Sequence, residues 1–157
     1  ILFANGSNQR MTIANVSTTE MSNKIEEQEN EVVERSFYDE PICKEILGIV
    51  KDNSFKARVN YKEYKEFALD DKQFLKLRTV TNLHYNDLTN TLKNQFPELT
   101  IDDVNYCCLY LLGLKTADIS ALMHKEYSTT RYRKEKIKNV LKSGSNIPTA
   151  LKTLQSQ

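Results

Sequence analysis

The sequence predicts an all-α fold, a helical bundle preceded by an acidic N-terminal helix, on three observations. Only 4 glycines and 3 prolines punctuate 157 residues and tryptophan is absent, so the regular turn signals of an all-β chain are missing. Apolar residues recur at helical rather than alternating spacing, most cleanly from Phe74 to Phe96. Helix start and stop signals bracket those runs at Pro41, Pro97, Thr100 and Gly113. The length suits one compact domain with a substantial core.

Residues 1–16, ILFANGSNQRMTIANV, are rich in Asn, Ser and Thr and have no sustained period, which reads as a linker or disordered start. A chain opening at Ile1 rather than Met is expected of a segment of something longer. From Ser17 to about Tyr38 the pattern turns helical and acidic, with Met21, Ile25, Val32 and Val33 as a thin apolar stripe. That stripe is too narrow for a coiled coil by itself and suits packing against this domain or a second copy.

The helical region continues to residue 97. Asp39 followed by Pro41 restarts a helix, because the fixed φ of proline suits a first turn where its missing N–H costs nothing. Ile42, Ile46, Leu47 and Val50 form its apolar side. After a loop at Asp52–Phe55, the residues Tyr61, Tyr64, Phe67, Ala68 and Leu69 suggest a short helix. Phe74, Leu77, Val80, Thr81, His84, Tyr85, Leu88, Leu92 and Phe96 then predict one long helix over about 72–96, ended by Pro97. His84 lies on its apolar face as a core histidine, with no second His close enough for a metal pair.

Residues 98–142 are organised as three helices. Thr100-Ile-Asp-Asp103 is a T-x-x-D variant of the capping box, and Asp102 and Asp103 suit the positive end of a helix. That helix carries Val104, Cys107, Cys108, Leu111 and Leu112, and Gly113 supplies the left-handed residue that ends it. A second helix of about two turns begins near Thr116 and buries Ile119, Leu122 and Met123. After a break at His124–Glu126, a third helix over about 127–141 turns Thr130, Ile137 and Leu141 inward. The same 3.6-residue period turns Ser128, Arg131, Tyr132 and Glu135 outward. A tight connection between the second and third helices is the arrangement of a helix-turn-helix. In the tail, 143–157, Asn146 and Pro148 open a short helix with Ile147, Ala150, Leu151 and Leu154 on one side, suited to clamp the bundle or pair with a neighbour.

The formal net charge of +1 conceals a polarity. Ten acidic and four basic side chains lie between Glu20 and Asp52, against eight basic and three acidic between Gly113 and Gly144. A basic C-terminal end favours an anionic partner such as double-stranded DNA, or forms a solvated charged face. Cys43, Cys107 and Cys108 have no metal-ligand spacing and read as reduced core residues. No run approaches the ~18–20 apolar residues of a membrane span, and there is no signal pattern. No Gly-rich phosphate loop, Ser/His/Asp or Cys/His arrangement is present, so neither an enzyme nor a cofactor or metal is expected.

The stretch LTIDDVNYCCLYLLGLKTADISALMHKEYSTTRYRKEKIKNVL resembles, without a gap, the LuxR-type helix-turn-helix, matching at Leu99, Thr100, Leu112, Gly113, Ile119, Thr129, Ile137 and Leu141. The preceding FLKLRTVTNLHYNDLTNTLKNQFPELT is similar to the long helix that leads into this motif in C-terminal output regions of Bacteroidetes transcriptional regulators. The resemblance spans about residues 20–155. It implies a DNA-binding output domain placed after a repeat or sensor region, often a membrane helix, and a coiled segment. A dimer is expected because one three-helix module reads few base pairs, and a cytoplasmic place because the cysteines read as reduced and no signal pattern is present.

By that resemblance Arg131, Tyr132 and Glu135 fall where base edges are read. Arg131 can fork onto guanine O6 and N7, Glu135 can accept from a cytosine amino group, and Tyr132 can pack on a thymine methyl. Lys115, Thr116, Lys125, Ser128, Thr129, Lys134 and Lys138 are the candidates for phosphate contact. The sequence departs from the pattern at Glu126, where Ser is common, at Thr130, where an apolar residue is common, and at Asn139 and Val140, where the last turn is commonly basic. Those departures leave open an interaction or dimerisation module whose helix-turn-helix no longer binds DNA.

Overall fold

The structure, a computed structural model, describes residues 24, 25, 27–29, 31–142, 144 and 146–155. The linker expected over 1–16 and the first turns of the acidic helix lie outside the described residues. The chain divides into two units, Ile1–Ser36 and Phe37–Gln157. In the first, the residues described from Lys24 onward are helical, as the acidic stretch predicts, and Ile25 and Val32 are both exposed.

The second unit is built from helices: α1 (Pro41–Asp52), a 3-10 segment (Tyr61–Phe67), α2 (Asp71–His84), α3 (Leu88–Gln95), α4 (Ile101–Leu111), α5 (Thr116–Met123), α6 (Tyr127–Val140) and α7 (Ile147–Gln155). Every regular element among the described residues is helical, so the all-α expectation holds. No described helix is long and apolar enough to cross a membrane.

The core is organised around α4. Each of its residues from Asp103 to Leu111 is buried, because a helix that is apolar nearly all round has no face to offer water and must be enclosed. It is enclosed by α2, α3, α5, α6 and α7. The tail helix therefore clamps the bundle, with Ile147 and Leu151 buried and Ala150 and Leu154 half-buried. At the entrance to the unit Phe37 packs edge-on against Tyr85, ring centroids 5.2 Å apart. The Tyr38 hydroxyl donates to the carbonyl of Leu111 at 3.4 Å. His84 is half-buried and satisfied, its Nε2 lying 2.8 Å from Glu40 Oε1.

The single helix expected over 72–96 is two. α2 stops at His84, and Asn86 and Asp87 then take left-handed backbone conformations, φ 48° and 61°. Asn and Asp tolerate this region better than other side chains. Asn82 receives the N–H groups that the break releases, Asp87 N donating to its carbonyl at 2.9 Å and Thr89 N to its Oδ1 at 2.8 Å. The start of α2 is fixed by Asp70 and Gln73, each side chain accepting from the other's backbone N–H at 2.8 Å. The short helix expected to reach Leu69 ends at Phe67, after which Leu69 N donates to the carbonyl of Leu122 at 2.9 Å and ties this segment to α5.

Candidate nucleic-acid interface

The three helices of the C-terminal half are held by local chemistry at each junction. The Thr100 hydroxyl accepts from Asp103 N at 3.2 Å, and Asp103 Oδ2 accepts from Thr100 N at 2.9 Å, so the T-x-x-D box forms in full. Gly113, φ +77°, ends α4 and its N–H donates to Tyr110 O at 2.9 Å. His124, φ 51°, ends α5, and Lys125 N donates to Ser120 O at 3.0 Å. The chain then turns through the extended backbone of Glu126 into α6, where the Glu126 side chain makes no capping hydrogen bond.

Helix α6 has two chemically distinct sides. Thr130 and Ile137 are fully buried, and Leu141, just past its end, is half-buried. Tyr106 and Thr130 place their hydroxyl oxygens 3.5 Å apart, which gives the buried Thr130 hydroxyl a partner inside the core. Ser128, Arg131, Tyr132 and Glu135 are exposed, the large Tyr132 ring at 70%.

A third set of α6 residues is bound to the fold rather than presented. Arg133 Nη1 lies 2.8 Å from Asp103 Oδ1 and Lys136 Nζ lies 2.7 Å from Oδ2, around a carboxylate with no solvent exposure. Burial works to raise the pKa of Asp103, but hydrogen bonds from Lys136, the Thr100 N–H and Arg133 outweigh it and hold the carboxyl below its ordinary range. Nothing local in the sequence announced this cluster, because Asp103 and Arg133 are thirty residues apart.

Of the residues marked by the sequence, Thr116, Ser128, Arg131, Tyr132, Lys134 and Glu135 line one shallow depression together with Tyr127. Tyr127 was missed, although its spacing of four from Arg131 carries the signal. The Arg131 guanidinium carbon lies over the Tyr127 ring, 5.9 Å from its centroid, a cation–π geometry that restrains the arginine. Lys134 Nζ lies 6.0 Å from the Tyr110 ring centroid. Lys115 is exposed in an adjoining depression that Lys134 also lines. Lys125, Thr129 and Lys138 are half-buried and line neither depression.

The cysteines are free and buried. Burial, with Glu40 nearby, pushes the Cys43 thiol up to about 12, and burial pushes Cys108 up to about 11, so both stay protonated and unreactive at neutral pH. Among the described residues no group of three or more His, Cys, Asp or Glu is placed to hold a metal ion. No protein-family model matches the chain, and no curated protein or solved structure shows significant similarity to it.

Proposed function

We propose that the chain is the DNA-binding output domain of a transcriptional regulator, with α4, α5 and α6 forming a LuxR-type helix-turn-helix and α6 entering the major groove of double-stranded DNA. The observation that carries this reading is the division of α6. Thr130 and Ile137 face the core, Arg133 and Lys136 are held by Asp103, and Ser128, Arg131, Tyr132 and Glu135 form one exposed stripe. A helix that serves packing alone has no need of a stripe in which arginine is propped on an aromatic ring beside a tyrosine and a carboxylate.

In this reading Arg131, held over Tyr127, forks onto guanine, Tyr132 meets a thymine methyl and Glu135 accepts from a cytosine amino group. Lys115, Thr116, Ser128 and Lys134 set the register on phosphates, as do Lys125, Thr129 and Lys138 after small side-chain movements. One three-helix module reads few base pairs, so the working form is a dimer on two half-sites one or more helical turns apart. The test is a titration of labelled random duplex at two salt concentrations. Affinity falls steeply with salt for the intact chain, and Arg131→Ala removes the preference among sequences. Absence of duplex binding at low salt and high protein concentration sinks the reading.

A second reading is favoured by a specific observation. In the acidic helix Ile25, Val32 and Val33 line an apolar depression with Gln28 and Glu29, a surface suited to self-association. On that reading the chain is a dimerisation module in which α4–α6 serve as scaffold. It requires self-association that is lost on deleting residues 17–36 and is indifferent to DNA.

A further inference from the structure

The segment between α1 and α2 is tied by ring contacts and a backbone hydrogen bond to the end of α5 and the turn that precedes α6. Phe55 is buried and meets Tyr64 and Phe67 edge-on, with ring centroids 4.9 and 5.2 Å apart. Tyr61 packs against His124 with ring centroids 5.0 Å apart and planes tilted by 55°, and Leu69 N donates to the carbonyl of Leu122. Between these anchors the chain makes a tight turn. Val59 N donates to Lys56 O at 3.3 Å, Lys62 N to Asn60 Oδ1 at 3.1 Å and Glu63 N to Asn60 O at 3.0 Å.

The turn carries Arg58 and Lys62, both exposed, to one wall of a depression whose other wall is Glu126, Tyr127 and Ser128. Tyr127 and Ser128 also line the depression that holds Arg131. A single surface therefore runs from Arg131 across the first turn of α6 to Arg58 and Lys62.

We propose that the 56–62 turn is a wing, a second phosphate-binding element that places Arg58 and Lys62 on the duplex backbone beside the groove entered by α6. This rests on the DNA-binding reading above. Two exposed cations on a short turn, next to the positive end of a 14-residue helix, match two backbone phosphates in charge. Their continuity with the Arg131 stripe favours the backbone of that same duplex over an acidic protein. The Glu126 carboxylate in the depression opposes an anion, and the two cations facing it offset that opposition.

The test compares the intact chain, R58A/K62A and a control, K76A/K93A, that neutralises two exposed lysines lining neither depression. Binding of labelled random duplex is followed by fluorescence anisotropy from 50 to 200 mM salt, with circular dichroism to show that each variant is folded. Each phosphate contact contributes a slope of about 0.9 in log affinity against log salt, so R58A/K62A lowers the slope by about two. Its affinity deficit is then about tenfold larger at 50 mM than at 200 mM salt. Arg58→Ala and Lys62→Ala alone each give about half the slope change, and the control binds as the intact chain does. If the intact chain binds duplex and R58A/K62A keeps its slope, the wing is overturned while the function stands. If the intact chain binds no duplex, the function and the wing fall together.

Discussion

Arg133 Nη1 lies 2.8 Å from Asp103 Oδ1, and through that contact a base on α6 is bound to the N-terminal cap of α4. With Lys136 on the other carboxylate oxygen, two of the eight bases between Gly113 and Gly144 serve the fold. The sequence-level charge polarity thus overstated what faces outward. It follows that Asp103→Asn destabilises the protein by about 2 kcal/mol at neutral pH, the usual worth of charged hydrogen bonds whose partners stay partly solvated. The sign with pH is set by the depressed folded-state pKa. Stability from this carboxylate is present above its unfolded value, ~3.9, and is lost as pH falls through the lower folded value. Chemical unfolding between pH 7 and 3 should show the wild type beginning to lose this increment at the acid end and Asp103→Asn lacking it throughout.

Arg131 and Arg133 are two residues apart on one helix, yet they should fail differently. Arg131 is exposed, with its guanidinium over the Tyr127 ring, so Arg131→Ala should change stability by less than about 0.5 kcal/mol while weakening duplex binding. Arg133→Ala should lower stability by about 1–2 kcal/mol through its loss from Asp103, and change duplex affinity less. Urea unfolding and duplex titration on the same samples separate the two. Equal loss of binding in both variants would speak against the division of α6 into a presented and a retained side.

Thr130 occupies a position where the resembled pattern is apolar, and the core accommodates it through the Tyr106 hydroxyl at 3.5 Å. A long hydrogen bond between two buried hydroxyls is worth little when formed, but breaking one side strands the other. Thr130→Val and Tyr106→Phe should each destabilise by about 1 kcal/mol, and the double variant by less than their sum, with a coupling of about 0.5–1 kcal/mol in unfolding free energy. Strict additivity would show that the hydroxyls do not interact.

The C-terminal half was legible because its signals are local: Thr100 and Asp103 cap α4, Gly113 ends it, and the period from Thr130 to Leu141 sorts the faces of α6. What stayed hidden depends on contacts distant in sequence, such as Asp103 with Arg133, or Leu69 with Leu122. The break between α2 and α3 is intermediate, since the apolar period continues across it with neither glycine nor proline, and only Asn86-Asp87 marks it. Asn86, exposed at φ 48°, supplies a test. Asn86→Gly should leave stability unchanged or raise it by up to about 0.5 kcal/mol, whereas Asn86→Val should lower it by about 1–2 kcal/mol. Equal thermal stability of the two variants would mean that the break is not held in the left-handed conformation.

Glu126 sits at the N-cap of α6 with an extended backbone, φ −62° and ψ 149°, and no side-chain bond to the first turn. The geometry is that of a cap, and the residue is the wrong one to fill it. Glutamate still favours the positive end of the helix, but its longer side chain leaves the first N–H groups uncapped, and its charge stands in the depression shared by Tyr127, Ser128, Arg58 and Lys62. Two consequences of Glu126→Ser therefore point the same way. The hydroxyl caps the first turn and stabilises the protein by about 0.5–1 kcal/mol, seen in urea unfolding. Removing the carboxylate also lifts repulsion of a phosphate near Ser128, so duplex affinity rises, and rises more at low salt than at high. Glu126→Gln separates these effects, since it removes the charge without adding a cap, and should gain affinity with little gain in stability. A gain in stability from Glu126→Ser with no gain in duplex affinity from either variant would place the phosphate backbone away from this end of α6, and would count against the groove reading of the helix itself.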